Sequence, residues 1–190
     1  MKVKLWTIQE EKGWKEVKTK GILIPKEEFV EIDFKRGYDW LKIQMTQRVE
    51  KPKKNKQYPV WAWFQHENQN KRRPDLRKTG SLPSGTVGYR IEIEKDLKDI
   101  LLSDFELWHY VLNEWCFVLS EEDDEKFEKE KKNKSHEYIK SRMEKSWEKI
   151  FDMDFHLKDY ALPFQEKSIQ ATFWELKLEE VIKVDKFIAR

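Results

Sequence analysis

The stretch GYRIEIEK, residues 88–95, decides the fold. Apolar and charged side chains alternate along it, with Tyr89, Ile91 and Ile93 on one side and Arg90, Glu92 and Glu94 on the other. A period of two is that of a strand with one face on a core and one toward water, and half-covered strands belong to antiparallel sheets. Upstream, before a long intervening stretch, YPVWAWFQ (residues 58–65) also reads as a strand, with Trp61 and Trp63 on one face and Val60, Ala62 and Phe64 on the other. KVKLWTIQ (2–9) opens the chain as a strand, and SIQATFWELKL (168–178) and EVIKVDKFIAR (180–190) close it.

Helical periodicity fills the gaps. A helix follows the first strand and stops at Gly21. Asp33 is placed to N-cap a second, whose Phe34, Tyr38, Leu41 and Met45 form one apolar stripe. Ser103 and Glu106 have capping-box spacing, and DFELWHYVLNEW (104–115) is apolar on most sides, so it is expected to be the central buried helix. A further stripe runs through Ile139, Met143, Trp147 and Ile150. Strands at the start, middle and end without regular βαβ spacing predict an α+β fold, a mainly antiparallel sheet with packed helices, in a single domain over 1–190. The first and last strands are expected in one sheet. Residues 121–137 are nearly all charged and read as an insertion, either a solvated helix or a mobile segment. Residues 68–88 hold Pro74, Pro83, Gly80, Gly85 and Gly88 and read as a long loop, a length usually reserved for function or disorder.

The core is built from few, large side chains: the 190 residues include 9 Trp, 11 Phe and 6 Tyr. Charge is abundant but balanced, 38 basic against 36 acidic residues, so the net charge names no partner. The single cysteine, Cys116, excludes an internal disulfide and fits a reducing compartment. The N-terminus has no apolar signal core, and no apolar run reaches the roughly 18 residues of a membrane span. The expectation is a cytoplasmic protein with no membrane partner.

Between residues 48 and 78 lie ten cations, Arg48, Lys51, Lys53, Lys54, Lys56, Lys71, Arg72, Arg73, Arg77 and Lys78, against Glu50, Glu67 and Asp75. They flank the strand that carries Trp61 and Trp63. Cations neutralise phosphates and aromatic faces stack bases, so single-stranded nucleic acid or a nucleotide is the expected partner, held by Arg72, Arg73, Arg77, Trp61 and Trp63. The bland alternative is that both tryptophans are core and the loop is merely solvated. Glu175 and Lys177 form an E-x-K on a strand with Asp159 upstream, a pattern that suits a metal-dependent nuclease but arises easily in a chain rich in Glu and Lys. His109 shares a helix face with Asn113 and Cys116, at a separation too long for a Cys–His pair, so it is either a binding residue or a buried histidine satisfied by a carbonyl or carboxylate. No zinc-ligand spacing, Walker lysine or G-x-S-x-G elbow is present, and no motif names a cofactor. A protein-interaction domain with exposed tryptophans is the remaining class.

LWTIQ (5–9), YPVWAWFQ, RPDLR (73–77), LLSDFELWHYVLNEW (101–115), IQATFWEL (169–176) and KVDKFIAR (183–190) resemble a bacterial family, the domain-of-unknown-function family numbered 3841. The resemblance spans nearly the whole chain except the acidic insertion. It implies a single domain and supplies no activity. The opening LWTIQEEKGWKEVKTKGIL (5–23) also looks like the strand–helix–glycine entry of ADP-ribosyltransferases. That likeness implies NAD held from the first strand and a catalytic Glu from a late strand, roles that Gln9 and Glu175 would fill here. The first strand offers Trp6, Thr7 and Gln9 where those enzymes carry Arg or His.

Overall fold

Strand β1 (Lys2–Glu10) is flanked on both sides, and the rest of the sheet is built outward from it. The computed structural model describes residues 1–49, 51–52, 57–158 and 160–190. Along its full length β1 pairs antiparallel with β4 (Val87–Asp96), Lys2 opposite Asp96 and Glu10 opposite Gly88. Its other edge takes β3 (Val60–Gln65), with Trp6 opposite Trp63. Beyond β3 come β6 (Ile169–Phe173) and then β5 (Leu101–Asp104); beyond β4 comes β8 (Val181–Ile188). Every neighbour in the order β5-β6-β3-β1-β4-β8 is antiparallel. The first and last strands share this sheet, separated by β4. A small ribbon of β2 (Ile22–Leu23) and β7 (Leu176–Lys177) stands apart.

Alternation sorts the two faces. Leu5, Val60, Ala62, Ile91, Ile93, Ala171 and Phe173 point one way and bury Val17 of helix α1 (Glu11–Lys20). Gly21 ends α1 in the left-handed region, at φ 73°, and returns its N–H to the Val17 carbonyl. Trp61, Leu101 and Trp174 belong to the other core, beneath α2 (Lys35–Arg48), α3 (Phe105–Leu112) and α5 (His136–Trp147). Trp40, Leu41, Met45, Trp108, Val111, Met143 and Trp147 fill it. The architecture is α+β, as the alternation of residues 88–95 requires. No helix among the described residues is long and apolar enough to cross a membrane.

Three local expectations are corrected. Asp33 caps nothing: it lies in a single 3-10 turn (Ile32–Phe34), and α2 begins at Lys35 with no side-chain cap. The cap of α3 is Asp104 and not Ser103, because β5 stays extended through Asp104; its carboxylate accepts from the backbone N–H of Glu106 at 3.0 Å and Leu107 at 3.2 Å. Arg90, expected toward water, is buried, because residues 66–86 fold over that face of β4; its guanidinium donates to the Pro74 carbonyl and to Asp185.

The charged segment forms helix α4 (Glu121–Asn133), capped by Ser120. One apolar side chain, Phe127, holds it to α5, under the Arg142 guanidinium. Arg142 also bonds to Asp123 and Glu130, stapling the helix at both ends. Phe127→Ala is therefore expected to release α4 alone. Hydrogen exchange should accelerate over residues 121–133 while β1 and β4 keep their protection; equal acceleration in the sheet would show that α4 is part of the global unit.

Candidate functional site

A concavity of about 360 Å³ opens where β1 ends. Its floor is Ile8, Gln9 and Glu10; Lys12, Gly13 and Glu16 of α1 form one wall. Pro25, Lys26 and Val30 form a second, and Tyr38, Tyr58, Pro59 and Trp61 an aromatic third, with Leu82 of the long loop reaching the rim. The stretch before β3 is held against the one after β2 by a bridge between Lys26 and Gln57 and by the Tyr58 N–H on the Pro25 carbonyl.

The Gln9 amide has a fixed orientation. The Thr7 hydroxyl, fully buried, donates to the Trp61 carbonyl at 2.7 Å. Having given its only proton, it accepts from Gln9 Nε2 at 2.8 Å. Gln9 Oε1 is thereby assigned as an acceptor, and it lies beside Gly13, where an added Cβ would stand 2.8 Å from it. A glycine inside a helix costs about 1 kcal/mol against alanine; here it makes room for that oxygen.

The aromatic wall is rigid for two reasons. Trp61 is wedged between Tyr38, 5.8 Å between centroids, and Trp108, 5.1 Å. Its indole N–H is shielded and has no acceptor among the described residues. Burial, and then the nearby Glu31, push the Tyr38 hydroxyl above its ordinary pKa. Tyr58 is pinned from the other side: its hydroxyl donates to Asp39 at 2.7 Å and accepts from Lys35, which also bonds to Asp39 and Glu27. Burial alone would raise the Asp39 carboxyl, but hydrogen bonds from Lys35 and Tyr58 outweigh it and hold the carboxyl below its usual range.

The chain matches the model of the domain-of-unknown-function family DUF3841 over residues 4–182. It belongs to that family. No curated protein and no solved structure matches it.

In this DUF3841 protein the sequence-derived candidates scatter. Gln9 and Trp61 meet in the concavity. Trp63 does not reach it; it packs against Phe105 and His66. Arg72 lies over Phe64 and Trp6 and donates to the Phe64 and Lys4 carbonyls, so it clamps the loop to the sheet. Arg73 is exposed, and Arg77 makes a forked contact with Asp75. His109, on the outer side of α3, is exposed, with Nδ1 3.0 Å from the Phe105 carbonyl; α3 buries Leu107, Trp108 and Val111 instead. Glu175 pairs with Lys177 at 3.4 Å, while its carbonyl accepts from Lys95. These contacts hold it at the entry to β7, and it is not among the residues lining the concavity with Gln9. Asp159, Glu50, Lys53, Lys54 and Lys56 lie outside the described residues. Among those described, no group of three metal-ligating side chains comes together.

The loop over β4 makes a second, shallower groove of about 650 Å³ that includes Lys71, Arg73, Arg77, Lys78 and Arg90. Most of its charge is spent internally: Glu67 takes Lys78 and Lys71, Asp75 takes Arg77, and Asp185 takes Arg90. Hydrogen bonds from those cations hold all three carboxyls below their ordinary range, foremost from Lys78 for Glu67, Arg77 for Asp75 and Arg90 for Asp185. A depressed folded pKa stabilises above the unfolded value, about 4, and is lost as pH falls through the folded one. The loop is therefore expected to loosen in acid first. Below about pH 4, exchange over residues 66–86, corrected for its intrinsic rate, should rise before that of β1; simultaneous loss would count against these ties.

Tyr38, Tyr58 and Leu82 were not visible as site residues. Tyr38 sits in an apolar stripe that reads as core, and Leu82 in a stretch that reads as turns. Gly13 was the available signal, an isolated glycine in a helical segment.

Proposed function

We propose that this DUF3841 protein binds a nucleotide, with the base seated in the concavity at the end of β1. The observation that carries the reading is the pairing of the partly exposed Tyr38 and Trp61, backed in the lining by Tyr58 at 2 % exposure, with the oriented amide of Gln9 in one hollow. The volume lies at the small end of ligand pockets, roughly 300–1,000 Å³. Aromatic faces take a base of any identity by stacking. The Gln9 acceptor would select an edge that donates, such as an exocyclic amino or a ring N–H. Lys12 and Lys26 on the walls supply positive charge for a phosphate, opposed by Glu10 and Glu16. A cytoplasmic setting, where nucleotides are abundant and thiols stay reduced, fits this reading.

Isothermal titration with the four nucleoside monophosphates tests it. Saturable binding of at least one is expected, weakened at least tenfold by Gln9→Ala. Gly13→Ala should do the same by driving its Cβ against Gln9 Oε1, with the thermal unfolding of the protein little changed. No saturable binding by any of the four at millimolar concentration, or binding indifferent to Gln9→Ala, would reject the proposal.

A further inference from the structure

A second aromatic platform lies one strand away from Gln9. Tyr89 on β4 is its cross-strand partner, and the Tyr89 ring sits 6.2 Å from that of Trp14, the residue after Gly13 on α1. The two rings are partly buried against the core under α1, tilted by 38° to one another, and keep part of their surface in solvent. Around them runs an open groove of about 760 Å³ whose wall carries Lys12, Lys15 and Lys18 against a single acid, Glu11. Lys18 approaches the Trp14 ring at 5.6 Å, and Lys186 of β8 approaches Tyr89 at 5.9 Å. Lys12 lines both this groove and the concavity.

Aromatic platforms interleaved with cations along a groove are what an extended single strand requires: rings for successive bases, ammonium groups for the phosphates between them. Lys15 and Lys18 line this groove and not the concavity, and Lys186 stands on the β8 side of Tyr89.

We infer that the ligand is the end of a single-stranded oligonucleotide, its terminal base in the concavity and its next base on Trp14 and Tyr89. The linking phosphate passes Lys12, and further phosphates meet Lys15, Lys18 and Lys186. The inference rests on the proposed nucleotide site. It assigns α1 and the end of β4 the contact role that the sequence alone suggests for the loop over residues 68–88.

The test compares, on the whole protein, the tightest-binding nucleoside monophosphate, its 5′-phosphorylated homotetranucleotide, and NAD as a two-base ligand that ends short of the far lysines. The tetranucleotide should bind at least tenfold tighter than the monophosphate, with a salt slope steeper by about two. Lys15→Glu with Lys18→Glu, both on the exposed side of α1, should erase that gain and leave monophosphate binding unchanged. Trp14→Leu should reduce the gain with little change in salt slope. Monophosphate binding without a tetranucleotide gain, a gain that survives the double charge reversal, or NAD matching the tetranucleotide would each overturn the inference while leaving the nucleotide site standing. Absence of monophosphate binding would remove the site itself and the inference with it.

Discussion

Trp108→Ala is expected to destabilise the fold by about 3–5 kcal/mol, the range for emptying a buried aromatic site. The side chain is 3 % exposed and stands at the meeting point of three elements. It touches Tyr38 of α2 at 5.7 Å and Trp61 of β3 at 5.1 Å, edge-on to the first and tilted against the second. Losing it opens a void that no single neighbour can fill, because its contacts belong to separate elements. The same truncation frees Trp61, so the aromatic wall of the concavity would lose its backing. Urea unfolding should show the change as a lower midpoint with an unchanged slope. A cost below about 1 kcal/mol would mean that the site collapses around the void, against the packing described above.

The second large effect is expected from a buried ion pair. Lys167 and Asp104 meet at 2.6 Å with side-chain exposures of 0 % and 2 %. Asp104 also caps α3, and the Lys167 carbonyl accepts from the Gln65 amide of β3. Lys167→Met leaves the Asp104 carboxylate buried without its cation, which typically costs about 3–5 kcal/mol. Lys167→Met combined with Asp104→Asn should cost clearly less, since the amide keeps a capping oxygen while the uncompensated charge is gone. The comparison is a double-mutant cycle read by chemical denaturation. Additive losses would show that the pair is not coupled.

How much of this was legible before the structure differs from residue to residue. The period of two in residues 88–95 carried the sheet, because a half-covered strand must alternate. It missed Arg90, since alternation says which side a residue is on and not whether a loop 16 residues away will cover that side. Helix ends were less legible. Ser103 and Glu106 have the spacing of a capping box, but a strand that stays extended for one more residue hands the role to Asp104. The basic loop was legible as charge and illegible as chemistry: Arg72 and Arg77 spend their hydrogen bonds on Phe64, Lys4 and Asp75, partners that composition counts only as neighbours. Gln9 and Trp61 were singled out for different reasons, and only the Thr7 hydroxyl between them shows why they belong together.

The position of β1 in the middle of the sheet has a consequence for how the chain assembles during synthesis. Residues 2–10 are made before either strand they pair with: β4 is complete only at residue 96, and the far wing waits for residues 169–173. Loop closure of that length precedes any reward from pairing, so folding of this topology is slow relative to a helical bundle of equal size. Until β3 and β4 have been made, the nascent segment offers unpaired edges and an apolar face, the exposure that favours aggregation and chaperone engagement. Its lysines at positions 2 and 4 and the adjoining, strongly charged α1 place on that segment the kind of charge that opposes edge-to-edge association.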